Sequence, residues 1–350
     1  MNMRAGRTVL RPPTTGKVRQ VMSRIVRFHE TGGPEVLRLD EVEVPRPGAD
    51  EVLIEAHALG LNRAEEMFRE GQYVQEPALP AKIGYEVAGT VREAGENVTH
   101  VRNGDAVSVI PAFTMTDYGM HGEVVLAPSH AVVKHPEHLS WDEAAAAWMM
   151  FVTAYGGLID LAGVGEGDTV LIPAASSSVG LAAIQICTMV GATPVALSRT
   201  SSKRQALLDH GAAAVIATQE QDVSAEVHRL TGGAGARVAF DPVGGPAFAE
   251  LTASLAEEGI ILVYGALESE NTPLPVMDVL GKHLTIRGYE LFELTTDPVR
   301  RTQAAEFVFN GLKKGDLKPV ISAAFALDDI VAAHEYMASN QQLGKIIVRV

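Results

Sequence analysis

A chain of 350 residues, 47% hydrophobic and 21% charged, has the composition of a globular protein and the length for two domains around a large core. Its formal net charge of −14 excludes a nucleic-acid surface, which needs concentrated positive potential. A single cysteine, Cys187, excludes an intramolecular disulfide or a multi-cysteine metal site and suits a reducing cytoplasm, and no apolar run approaches the ~20 residues of a bilayer span, so no membrane is expected.

In chain order, residues 1–21 hold Arg4, Arg7, Arg11, Lys17 and Arg19 with no acid. Pro12 and Pro13 break any amphipathic targeting helix there, and a disordered extension is expected. From Ser23 to about Val133, VLIEAHALGL, GTVREAG and DAVSVIPA read as strands, with turns at Pro45–Gly48, Gly95–Asn97 and Asn103–Gly104. Short strands at this spacing suggest a barrel or sandwich. A helix over Trp141–Leu161 follows, Ser140 as N-cap and Glu143 three residues on.

Strands and helices then alternate: TVLIPA, VGLAAIQICTMVG, TPVALSR, SKRQALLDHG, AAVIAT, a helix around Val223–Leu230, RVAFDPVGG, a further helix and GIILVYGAL. That alternation implies a parallel, doubly wound sheet covered on both faces. A helix after Pro298 leads into strand–helix–strand texture that returns to the first domain. The expected division is 22–150 with 320–350, and 151–319.

The turn LIPAASSSVGLAAIQI joins a strand to a helix, the context in which backbone N–H groups receive a pyrophosphate. Ser176, Ser177 and Ser178 stand where glycines are usual, followed by Val179 and by Gly180, which lets helix and strand approach. A serine-rich turn is also found in plain loops, so the second strand has to decide. There the chain ends in Ser198, Arg199 and Thr200, with Lys203 soon after and no acid before Asp209. An acid would bind the free ribose of NAD; two cations and several hydroxyls suit the 2′-phosphate of NADPH. The plainer alternative is that Arg199 and Lys203 only solvate a helix start, where positive charge is unfavourable.

With these residues in place, the chain from Ser23 onward resembles the medium-chain dehydrogenase/reductase superfamily, in its zinc-free quinone oxidoreductase branch. The resemblance rests on RFHETGGPEVLRL, GLNRAEEMFREGQY, GYEVAGTVREAGENV, RNGDAV, AAAAWMMFVTAYGGL, FDPVGG and LGKIIV. It implies an α/β protein with a GroES-like β-barrel catalytic domain and a Rossmann domain, and a homodimer joined at edge strands such as GIILVYGAL and HLTIRGYEL. It places Asn62, Thr153, Val243, Tyr264, Gly265, Ala266 and Lys345 at the cofactor, with Asp241 holding its own turn. Thr218 departs from the tyrosine that relatives often carry after the third strand.

Zinc-dependent relatives use Cys, His and a carboxylate. This chain has Asn62 and Tyr85 in the first two places, keeps Glu86, and carries Cys187 within a helix, so no metal is expected. Substrate polarisation then falls to hydrogen-bond donors, which favours quinones or α,β-unsaturated carbonyls over alcohols. Tyr73 and Asn62 are the catalytic candidates by resemblance; a loop-covering tyrosine and a loop-capping asparagine are the competing readings. His121 reads as a proton donor or as a partly exposed structural histidine. Phe113, Met115, Tyr118, Met120, Trp148, Met149 and Met150 form two apolar clusters, either ordinary core and hinge packing or, facing inward, the lining for a bulky apolar substrate; the expected partner is a small-molecule apolar carbonyl or quinone. An enoyl-thioester reductase, with a basic entrance at Arg300, Arg301, Lys313 and Lys314, and a non-catalytic NADPH-binding protein are the alternative functions.

Overall fold

Helix Trp141–Tyr155 is the structural hinge pin of the molecule. Ser140 caps it through a reciprocal pair: its Oγ accepts from the Glu143 N–H at 3.3 Å, and the Glu143 carboxylate accepts from the Ser140 N–H at 2.8 Å. The helix continues as a π-helical turn over Gly156–Leu161, where a Cβ on Gly156 would lie 2.1 Å from the Tyr289 hydroxyl and one on Gly157 2.4 Å from the Phe240 ring. Only glycine permits that approach. The computed structural model describes residues 21–350, so the extension expected at 1–21 lies, but for Val21, outside the described residues.

On one side of this helix stands a six-stranded parallel sheet. Its strands lie in the order Ala214–Ala217, Thr193–Ser198, Thr169–Ile172, Ala236–Asp241, Leu255–Val263 and Thr285–Gly288. Counted along the chain that is third, second, first, fourth, fifth, sixth, so the order reverses beside Thr169–Ile172, where doubly wound sheets place their ligands. Val170, Leu171 and Ile172 are wholly buried, as a strand covered on both faces must be.

On the other side is a seven-stranded, largely antiparallel sheet. The chain re-enters it at the end: Ile321–Ala326 pairs parallel with Lys345–Arg349, and Lys345–Arg349 pairs antiparallel with Glu51–Gly60. A smaller sheet of Val21–Phe28, Leu37–Val44 and Ala81–Lys82 covers one flank. The architecture is the expected α/β pairing of a GroES-like sheet with a Rossmann sheet.

Two readings need correction. Trp141–Leu161 is a continuous helix of 21 residues with mean hydropathy 1.4, long and apolar enough by composition to cross a membrane. It lies instead inside the protein, with 78% of its 18-residue apolar window buried. The short helix Arg63–Arg69 went unread in GLNRAEEMFREGQY, although Asn62 and Glu65 carry the capping-box spacing that starts it.

Candidate active site

Asn62 ends strand Glu51–Gly60 and caps helix Arg63–Arg69, which fixes it at the junction of three elements. Its Nδ2 donates to the Gly60 carbonyl (3.2 Å), to Glu65 Oε1 (3.1 Å) and to Glu86 Oε2 (3.1 Å). Its Oδ1 accepts from Lys345 Nζ at 2.6 Å. Lys345 also donates to Glu86, whose other oxygen accepts from the Met149 N–H at 2.7 Å. All of Asn62, Glu65, Glu86 and Lys345 are at most 7% exposed. Burial pushes the Glu86 carboxyl above its usual range, while Lys345 and the two N–H donors pull it back towards the ionised form. Asn62 is thus the capping residue of a closed network, and Lys345 is committed to it rather than presented to the cleft.

Beside this network, Glu65 lies 3.7 Å from His121 Nε2, and the ligand atoms of Glu65, His121 and His334 all lie within 4.8 Å of one another. His121 is 1% exposed, which corrects the partly exposed histidine of the sequence reading. Burial lowers His121 to about 4 and raises Glu65 to about 7. The group has metal-ligand residue types but the wrong protonation. Arg69 donates to His334 Nδ1 at 3.0 Å, and since guanidinium cannot accept, the neutral ring must carry its proton on Nε2, the atom a metal would need.

Tyr73 is half-buried, packed edge-on against Phe68 with ring centroids 6.5 Å apart. Burial raises its phenol above the usual value, and the Tyr85 hydroxyl is near enough to lower it again in part. Tyr85 is fully buried between Phe113 and Phe292, 5.8 Å from each ring centre, and among the described residues its hydroxyl has no hydrogen-bond partner. Phe113, Met115 and Met120 share this core; Trp148 and Met150 belong to the core of the Rossmann side; Met149 touches both. Tyr118 spends its hydroxyl on Glu51 at 2.8 Å.

The serine turn joins strand Thr169–Ile172 to helix Ser178–Met189. Ser177 caps helix Ser178–Met189 by accepting from the Gly180 N–H at 3.0 Å, and Ala174 sits at φ 47° in the bend. A Cβ on Gly180 would come within 2.7 Å of Ala174 and Ala175 backbone atoms, so glycine is required for the close approach. Val179 is half-buried behind it. Ser176 Oγ accepts from Lys203 Nζ at 3.2 Å, and Lys203 also donates to the Gln342 carbonyl at 2.8 Å. Burial and the neighbouring Arg199 both lower the Lys203 ammonium. Ser198 is half-buried, Arg199 and Thr200 are exposed, and among the described residues neither Arg199 nor Lys203 has a carboxylate partner. One acid invisible in the local sequence does arrive: Glu220 accepts from the Ser201 N–H at 2.9 Å.

The remaining residues line the turn ends. Asp241 holds its loop by accepting from the Val243 N–H (2.8 Å) and the Gly244 N–H (3.1 Å). Tyr264 stacks on Phe240 with centroids 3.9 Å apart and its hydroxyl enclosed, so it packs the sheet end instead of offering a donor. A Cβ on Gly265 would lie 2.8 Å from the Pro242 carbonyl, and Ala266 is exposed. Thr153 donates its hydroxyl to the Met149 carbonyl at 2.6 Å.

Comparisons with known proteins agree with this geometry. The family model of an alcohol dehydrogenase GroES-like domain matches residues 48–137, and that of a zinc-binding dehydrogenase matches residues 178–310. The chain is 33% identical over 332 residues to a quinone oxidoreductase of Homo sapiens, covering 94% of this chain and 98% of that one. A quinone oxidoreductase of Escherichia coli solved with NADPH superposes with a TM-score of 0.85 at 27% identity, covering 94% of this chain and 100% of that one. An NAD-dependent alcohol dehydrogenase superposes with the same TM-score at 28% identity, covering 93% and 99%. Likeness of fold therefore leaves the metal to be judged from the residues themselves.

The donor set speaks to zinc directly. Asn62 has its whole amide engaged, Glu86 has both oxygens engaged, and the ammonium of Lys345 already fills the place of a cation. Cys187 is 0% exposed inside helix Ser178–Met189. These residues do not make a zinc site.

Lys345→Met should leave Glu86 buried without its counter-charge and cost about 3–5 kcal/mol at neutral pH. A buried carboxyl with a raised pKa is stable when protonated, so the deficit should shrink as pH falls towards the ~4.3 of an unfolded glutamate and grow as pH rises. Thermal melts across pH should show this slope, and Lys345→Met/Glu86→Gln should abolish it.

Proposed function

We propose that this chain, which belongs to the quinone oxidoreductase branch of the medium-chain dehydrogenase/reductase superfamily, reduces quinones or α,β-unsaturated carbonyls with NADPH and without zinc. The observation that carries the cofactor is the pair Arg199 and Lys203: two adjacent cations without a carboxylate partner, one of them bonded to Ser176 of the phosphate turn. The NADPH bound by the Escherichia coli relative supports the same reading. When bound, NADPH supplies the hydride. The chain itself supplies orientation and a proton. Backbone N–H groups at the start of helix Ser178–Met189 hold the pyrophosphate. Tyr73 stays protonated at neutral pH and donates to the oxygen on which negative charge develops.

An enoyl-thioester substrate is less well supported. Arg300 is bound to Asp160 and lies near Glu293. Lys313 and Lys314 sit at the far end of the same helix, about 20 Å away at 1.5 Å per residue, so the four cations make no single basic entrance.

The partner in solution is a second copy of the chain. Strand Thr285–Gly288 is the open edge of the parallel sheet, and Val276, Met277 and Leu280 on the adjacent helix are 53%, 79% and 64% exposed. Apolar side chains in a row beside an unpaired edge mark an interface. Light scattering should give twice the chain mass, and Met277→Glu/Leu280→Glu should reduce it to the monomer.

The cofactor is tested by fluorescence titration. Arg199→Ala should weaken NADPH at least about tenfold and leave NADH nearly unchanged. Ser198→Asp should reverse the preference by repelling the phosphate and accepting from a free ribose hydroxyl. Equal affinity of the unaltered protein for both nucleotides would refute the assignment.

A further inference from the structure

Tyr85 carries a buried hydroxyl that the polar network leaves over. Its backbone N–H donates to Glu65 Oε1 at 3.1 Å, and its ring is held between Phe113 and Phe292. The residue is 0% exposed, and among the described residues its O–H has no acceptor. A buried donor without an acceptor is costly, and phenylalanine would fill the same space without that cost. Enclosed as it is, the hydroxyl cannot meet a ligand. Its acceptor has to be a neighbouring side chain.

Tyr73 is that neighbour. Helix Arg63–Arg69 braces both tyrosines: Glu65 holds the Tyr85 backbone, and Phe68 packs edge-on against the Tyr73 ring, centroids 6.5 Å apart. The two hydroxyls act on each other, Tyr85 lowering the Tyr73 phenol and Tyr73 raising that of Tyr85, so Tyr85 is the donor and Tyr73 the acceptor. The other titratable groups facing the pair are Glu65 and Glu290, whose negative charge opposes ionisation of either phenol. Both carboxylates are engaged elsewhere: Glu65 accepts from Asn62 and the Tyr85 N–H, and Glu290 from the Phe292 N–H at 3.2 Å. The two phenols are not aligned as a hydrogen bond in this structure, and bonds of this kind often tighten only around a bound substrate.

We propose that Tyr85 is a positioning residue for Tyr73, donating its O–H to the Tyr73 oxygen when a substrate fills the cleft. The proposal rests on the reading of Tyr73 as donor to the substrate oxygen. With Tyr85 on its oxygen, Tyr73 turns its own O–H outward to the substrate. As the proton passes, the O–H bond of Tyr73 breaks and one forms on the substrate oxygen. The phenolate left behind keeps the hydrogen bond from Tyr85 until water returns a proton. Tyr85 thus offsets the two carboxylates that make a negative Tyr73 unfavourable.

Two measurements test this, one of them independent of activity. In protein labelled with 3-fluorotyrosine, fluorine NMR resolves the seven tyrosines, and the Tyr73 resonance is the one lost in Tyr73→Phe. Fluorination makes the phenol more acidic and so easier to titrate in the folded protein. In Tyr85→Phe the Tyr73 titration should move up by about one pH unit, a tenfold change in acidity. In turnover of menadione with NADPH, Tyr85→Phe should lower kcat about tenfold and leave the KM for NADPH unchanged, yet cause no further loss when added to Tyr73→Phe. Removing an unpaired buried O–H should not lower the melting temperature, so the variant stays folded. An unmoved Tyr73 titration, or equal losses from Tyr85→Phe with and without Tyr73, would overturn the proposal. If the unaltered protein reduces no quinone or enone, the reductase reading falls, and the fluorine titration still decides whether the pair exists.

Discussion

Four residues near the C-terminus, Gln342 to Lys345, tie the two halves of the site together. The Gln342 carbonyl accepts from Lys203, the Gly344 N–H donates to the Ser176 carbonyl at 3.0 Å, and the Lys345 side chain reaches Asn62 and Glu86. The backbone of the same stretch is held by the Lys345 N–H on the Val320 carbonyl at 2.7 Å. One short segment therefore spans from the second-strand cations through the serine turn to the buried polar network. Gly344 has φ 95°, and a Cβ there would lie 2.3 Å from the Val320 carbonyl, so the segment can run this way only with glycine at that point.

The chemistry available at the cleft follows from that lacing. Because the last strand delivers an ammonium to Glu86, the position that could polarise a substrate through a metal is filled by a fixed charge pair. In the proposed reaction polarisation falls to neutral donors, with Tyr73 the candidate, half-buried and with its phenol pKa raised. The proposed reaction suits such a site, because hydride arrival at a substrate already conjugated to an oxygen only has to move charge onto that oxygen. The same proposal sets alcohol oxidation apart, since that reaction needs the alkoxide stabilised first.

The fold was legible because its signals are local and mutually consistent. Strand and helix periods alternate along 169–263, and Ser140 with Glu143 announces a helix start that the backbone obeys. Gly180 was legible too, since only one residue type fits a strand and helix in that contact. What stayed hidden depends on distant partners. Nothing near Lys345 in sequence shows that Glu86, 259 positions away, is its counter-charge. Glu220 joins the cofactor end from the next strand, and the Glu65–His121–His334 group is assembled from three separate elements. Asn62 carried its answer in plain view, for Asn followed by Glu at the third helical position is a capping box. The stacking of Tyr264 on Phe240 was not legible either, because where an aromatic residue at a strand end turns is decided by packing alone.

The account rests on reduction of conjugated carbonyls by a cleft that needs no metal. The most direct measurement is steady-state oxidation of NADPH by chelator-treated protein against a panel of quinones and enones, with oxidation of primary and secondary alcohols by NADP⁺ measured alongside. Turnover of at least one quinone or enone, undiminished by chelation and unaccompanied by alcohol oxidation, is the result the structure predicts. Activity that disappears on chelation and returns with zinc, or alcohol oxidation without quinone or enone reduction, would contradict it.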